Sequence, residues 1–166
     1  MIAAASTQDK LHLALSCGAS AGVLYPAGPM DRDAARVLGQ SLKQAVGSEG
    51  ANVVLDVVGG DLAEACVRAL AWQGRFLVVG FAGGVPKLPL NLVLLKGCQV
   101  LGVSWGEFIR RDRAKFDASV QELLDLYTRG LIRPRISQHF ALARGGEALT
   151  LIANRQAHGK LVVTMT

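Results

Sequence analysis

Two hydroxyls and an ammonium lie close together near the start of the chain: Ser6 and Thr7, then Lys10. Such donors suit a phosphate dianion, and the Tyr25 hydroxyl could add another. The same residues also suit a plainer role, with Ser6-Thr7 as a helix cap and Lys10 as a surface lysine. The residue types alone leave both readings open. Gly59-Gly60 is a second candidate, because a backbone without Cβ atoms lets the adenosine half of a dinucleotide approach closely; a tight turn has the same need. Asp56 is the one polar residue in an apolar run, which favours structural hydrogen bonding over acid/base work. Trp105 reads equally as a hydrophobic anchor at a subunit contact or as a neighbour of a bound cofactor.

Other chemistries find little support. His12, His139 and His158 have no partner at metal-ligand spacing, so no metal is expected. Cys17, Cys66 and Cys98 are odd in number and far apart, which suits small buried residues of a reducing compartment. The net charge of +5 comes partly from Arg110, Arg111, Arg113 and Lys115. With no aromatic residues between them, they read as a solvated helix face, and no nucleic-acid partner is expected. There is no signal peptide and no apolar run near the roughly 18 residues that a membrane span needs. A cytoplasmic location is expected, with a mitochondrial one open.

The elements that must position these residues alternate regularly. Residues 2–5 predict a short strand, and Thr7 then caps a helix over 10–16 that carries Leu11, Leu13, Ala14 and Leu15 to a Cys17-Gly18 stop. Residues 23–25 make a brief strand closed by Pro26. Asp31 caps an amphipathic helix, with Leu38, Leu42 and Val46 among its apolar positions, that Gly47 ends. The apolar run 52–58 predicts a parallel strand buried on both faces. Asp61 is expected to cap a helix reaching residue 71, followed by a strand over 75–81, a loop through Pro86 and Pro89, and a strand over 100–105. A helix over 112–128 sets Phe116, Val120, Leu123, Leu124 and Tyr127 on one stripe. Strand 135–142, helix 146–155 and strand 160–164 close the chain.

A chain of 166 residues with 51% hydrophobic content can bury a core, and its aromatic content of 5% favours α/β layers over a β-sandwich. Strand and helix in this rhythm predict a doubly wound, mostly parallel, Rossmann-like sheet with helices on both faces. Such sheets bind ligands at the carboxyl ends of their strands, where Ser6, Tyr25, Gly59, Gly80 and Ser104 all fall. The opening strand reads as the second of such a sheet, so the first strand with its glycine-rich turn is expected to be missing. Its loss would leave exposed inner edges on the strands at Ile2 and Val53.

In sequence order, six stretches carry a resemblance: Ile2-Ala3-Ala4-Ala5-Ser6 with Lys10, Val54-Leu55-Asp56-Val57-Val58-Gly59-Gly60, Gly74-Arg75 through Val78-Val79-Gly80-Phe81-Ala82-Gly83-Gly84, Pro89-Leu90-Asn91 with Leu94-Leu95-Lys96, Gly102-Val103-Ser104-Trp105-Gly106, and Gly159-Lys160-Leu161-Val162-Val163. They resemble the carboxy-terminal half of quinone oxidoreductases and their quinone oxidoreductase-like relatives, in the zinc-independent branch of the medium-chain dehydrogenase/reductase superfamily. The resemblance implies hydride transfer from NADPH to a quinone or an activated alkene without a metal. It also implies cofactor contacts at Ser6, Lys10, Tyr25, Val58, Gly59, Val79, Gly80, Phe81, Ala82, Val103 and Ser104, the last six nearer the nicotinamide. Strand ends that select NAD carry a carboxylate where Ser6 stands, which favours the 2′-phosphate of NADPH.

By the same resemblance, residues 1–134 are a partial dinucleotide-binding domain, and 135–166 are a segment that would pack on a catalytic domain. That catalytic domain is absent, so no catalytic residue is assigned and the chain is expected to be an inactive fragment. A homodimer through the edge strand 98–104 is expected. Two other readings stand beside this one: a non-catalytic dimerisation or interaction module of the same fold, and a relative of enoyl reductases.

Overall fold

The computed structural model describes residues 1–26 and 28–165. They form two compact units, Met1–Ser104 and Trp105–Thr166, and the expected boundary after residue 134 falls inside the second.

The first unit runs β1 (Ile2–Ala5), α1 (Gln8–Ser16), β2 (Ala21–Leu24), α2 (Arg32–Val46), β3 (Ala51–Asp56), α3 (Leu62–Ala69), β4 (Leu70–Val78), α4 (Leu90–Lys96) and β5 (Gln99–Gly102). Its strands pair in parallel, as expected, in two sheets: β1–β2 and β3–β4–β5. β1 and β3 each end a sheet and, among the described residues, do not pair with one another, in keeping with the exposed inner edges expected of them.

Helices flank β1–β2 on both sides. Val23 points into a cluster with Leu38 and Leu42 of α2 and Leu62, Ala65 and Ala69 of α3. Its neighbour Gly22 points the other way, where a Cβ would lie 2.0 Å from Leu11 Cδ1 of α1. In the larger sheet, Phe76 is fully buried among Ala63 and Val67 of α3 and Leu92 of α4, with Val54 and Val78 beside it. Burying such a ring stabilises by about 1.5–3 kcal/mol.

Several expectations fail here for identifiable reasons. The run 52–58 is not buried on both faces: Val53, Leu55 and Val57 are 42%, 66% and 49% exposed. Among the described residues, α3 and α4 cover only the side that carries Val54 and Phe76. β4 begins at Leu70 and stops at Val78, because the register shifts between Ala51 and Val53 and the chain bulges at Gln73 (φ 58°). The Gln73-Gly74 pair, which falls between the expected helix to residue 71 and strand from residue 75, therefore lies inside a strand. Asp61 makes no cap bond to α3; its Oδ2 accepts from the Met30 amide. α4 was hidden by Pro86 and Pro89 just before it, although Lys96 in its last turn and a left-handed Gly97 just beyond mark a helix end. Cys17 is exposed at the end of α1, Cys66 is half-buried and Cys98 is buried, so the buried reading fails for the first.

The second unit holds α5 (Trp105–Arg111), α6 (Arg113–Thr128), β6 (Ile136–Ala141), a 3₁₀ turn, α7 (Gly145–Ala153) and β7 (Lys160–Thr164). β6 and β7 pair in parallel around α7, the expected strand-helix-strand. Trp105, expected to end a strand, instead opens α5 and packs against Phe108 and Phe116 at centroid distances of 5.4 and 5.6 Å. Leu123, Leu124 and Tyr127 of the α6 stripe are exposed.

Candidate functional site

β1 and β2 end in register, Ala5 opposite Leu24, and the Tyr25 amide donates to the Ala5 carbonyl at 3.0 Å. Ser6 and Tyr25 therefore leave the sheet side by side. Thr7 is the α1 cap, its Oγ1 accepting from the Lys10 amide at 3.3 Å, which brings Lys10 back within one turn of Ser6. The capping role read for Thr7 is real, and it leaves the hydroxyl of half-buried Ser6 outside the cap. The Tyr25 ring packs partly on the α2–α3 core.

The other candidates gather where β3, β4 and β5 end. Asp56 closes β3, and its Oδ1 accepts from the amides of Val58 and Gly59, both at 2.9 Å. This is the structural role expected of it. Its carbonyl accepts from Val79 and Gly80, and Val78 accepts from Val103 at 2.8 Å. The three strand ends thus hold Val58, Gly59, Val79, Gly80, Phe81, Ala82, Val103 and Ser104 at one edge of one sheet. Val79, Phe81 and Val103 are exposed there.

Gly59 and Gly60 take left-handed φ values of 69° and 60°. A Cβ on Gly60 would sit 2.5 Å from the Gly83 carbonyl oxygen, and one on Gly59 equally close to that of Gly84. The space their missing side chains leave is filled by the chain's own 81–84 turn, a partner that sequence reasoning did not foresee. The Gly83-Gly84 doublet was the available signal.

Two open clefts in the first unit share only Gly60 with these residues. One lies between α2 and α3, with Asp31, Arg36, Asp61 and Glu64 in its walls; the other is bordered by Lys43, Arg68, Trp72 and Lys96. Lys96 donates to the Leu70 carbonyl at 2.5 Å, and burial, then the Lys43 charge, hold its pKa below the ordinary lysine value. In the second unit Glu107 pairs with Arg110 and Arg111, Asp117 with Arg113 and Asp112 with Lys115. The basic stretch is solvent-exposed, as its sequence suggested, but it is divided between α5 and α6 and pairs with carboxylates of the same segment. No described helix is long and apolar enough to cross a membrane.

A family model described as zinc-binding dehydrogenase matches residues 29–163. The chain belongs to that family. Within it, the chain is 38% identical to quinone oxidoreductase-like protein 2 of Rattus norvegicus over 99% of its own length and 45% of that protein. It thus spans about half the length of the curated relatives it matches. Among solved structures, Escherichia coli quinone oxidoreductase complexed with NADPH superposes with a TM-score of 0.80 at 25% identity, covering 98% of this chain and 48% of that one. A mycobacterial protein complexed with NADPH reaches 0.81 at 23% identity over 98% of this chain and 48% of that one, a likeness of fold. These matches place the chain with the quinone oxidoreductases that its motifs resemble. The family description names zinc, yet among the described residues no three His, Cys, Asp or Glu converge to hold a metal ion. The described residues therefore offer no donor set that fits a metal.

Proposed function

We propose that the chain carries the cofactor half of an NADPH-dependent oxidoreductase that passes a hydride to a quinone or an activated alkene. The observation that carries this reading is the end of β1, where Ser6 stands beside Tyr25 with Lys10 one turn on, at the position where an NAD-selecting sheet carries a carboxylate. Asp9, exposed in the first turn of α1, complements the helix dipole instead. Family membership and a neighbour solved with NADPH support the cofactor.

Bound NADPH would supply the hydride. Ser6, Lys10 and Tyr25 would hold its 2′-phosphate, with charge-assisted bonds from Lys10 as the strongest contribution. Val58 and Gly59 would lie along the dinucleotide, and Val79, Gly80, Phe81, Ala82, Val103 and Ser104 would form the apolar floor beneath the nicotinamide. Residues enclosing the acceptor are expected outside these strand ends. The free edge of β5, whose four residues are all exposed, would pair with its copy in a homodimer.

The test is a fluorescence titration of the full-length protein with NADPH and NADH. Saturable binding with a clear preference for NADPH is expected. Binding of neither would sink the reading and favour a non-catalytic module of the same fold.

A further inference from the structure

Asp56 grips both turns that the proposed function gives to the cofactor, and it uses two different groups to do so. Its carboxylate Oδ1 accepts from the Val58 and Gly59 amides, each at 2.9 Å. Its backbone carbonyl accepts from the Val79 amide at 2.8 Å and the Gly80 amide at 3.3 Å. The turns are then latched to each other: the Gly83 amide donates to the Val58 carbonyl at 2.6 Å, and the Gly60 amide to the Gly84 carbonyl at 2.8 Å. Asp56 is buried, and its Oδ2 has no hydrogen-bond partner among the described residues.

A buried carboxylate oxygen without a donor is unfavourable, so burial alone does not account for an acid here. What the side chain gains is the pair of amides on Oδ1. An apolar residue of similar size would remove the unsatisfied oxygen but leave the Val58 amide, and the buried Gly59 amide, without an acceptor.

We propose that Asp56 is a positioning residue: its Oδ1 holds the Val58-Gly59 turn, and through the latch the 81–84 turn, in the conformation that receives the dinucleotide. The ligand half of this inference rests on the proposed function; the hold on the turn does not. Asp56 acts through backbone amides and needs no contact with the cofactor.

Asp56→Ala and Asp56→Asn separate the possibilities in the full-length protein, read by amide hydrogen exchange and by NADPH titration. Alanine removes the acceptor, whereas asparagine keeps an oxygen where Oδ1 lies and discards the buried charge. The alanine variant is expected to exchange the Val58, Gly59 and Gly83 amides about tenfold faster and to bind NADPH about tenfold more weakly, with the Phe76 amide unchanged. Asparagine is expected to restore both. Should alanine prevent folding, Asp56→Val fills more of the buried space, suits a strand end, offers no acceptor and is expected to loosen the same turn. Unchanged exchange at Val58 and Gly59 in the alanine or valine variant overturns the proposal, as does loosened exchange with wild-type NADPH affinity. Loosened exchange in a protein whose wild type binds no NADPH supports the hold on the turn and overturns the ligand half together with the proposed function.

Discussion

The Asp61 carboxylate accepts from the Met30 amide at 3.0 Å, so the residue that precedes α3 ties that helix to the loop before α2 instead of capping its own first turn. The α2–α3 core beneath this tie also holds Met30 and Tyr25 at its margin. Asp61→Ala is expected to lower stability by about 1 kcal/mol through the lost bond. Asp61→Ser discriminates the two roles: serine is a good cap but too short to reach Met30, so it should be as destabilised as alanine. Urea unfolding with an unchanged slope measures this, and full rescue by serine would restore the capping role.

Lys10 is the residue whose loss should separate the two nicotinamide cofactors. In the full-length protein, Lys10→Ala is expected to weaken NADPH binding by about 1–2 kcal/mol, as for one charge-assisted contact, and to leave NADH nearly unchanged. Equal losses for both cofactors in parallel titrations would mean that Lys10 does not meet the 2′-phosphate.

The edge of β5 offers a clean test of dimerisation. The Val103 amide donates inward to Val78, so the Gly102 amide, one residue earlier, faces the open edge. Gly102→Pro removes that outward donor while leaving the Val103 bond to β4 in place. Light scattering at tens of micromolar protein should show a dimer that the proline variant loses. An intact dimer in the variant would move the contact to another surface.

Cys66 carries a pH dependence with a definite sign. Burial, and then the nearby Asp56 charge, push its thiol from the ordinary 9.0 up to about 12. The folded state therefore keeps a proton that the unfolded chain releases, so this contribution is fully present below pH 9 and is lost as pH rises toward 12. Wild type should lose stability across that window more steeply than Cys66→Ala. At pH 8, iodoacetamide should modify exposed Cys17 while Cys66 and Cys98 stay protected, as mass spectrometry of digested protein would read. Modification of Cys66 at the rate of Cys17 would contradict the burial.

Much of this was legible in the residues because it depends on neighbours close along the chain. The Thr7 and Asp31 caps, the left-handed stops at Gly18 and Gly47, the strand at 160–164 and the solvated basic residues of 110–115 all follow from contacts within a few positions. Placing the candidate residues at strand ends needed only the alternation of strand and helix.

Sequence by itself determined the parallel α/β class, the alternation of strand and helix apart from α4 and α5, and the hydroxyl-rich end of the first strand, since periodicity and capping are local properties of the chain. The tertiary structure alone decided which groups meet across long separations: Asp61 with Met30, Gly60 with Gly83, and the bulge at Gln73 that turned an apparent loop into strand. It also decided that Leu55 faces outward while Phe76 is sealed. Both sit in apolar runs that look alike, and what separates them is which face α3 and α4 happen to cover, a fact of packing that no local pattern encodes.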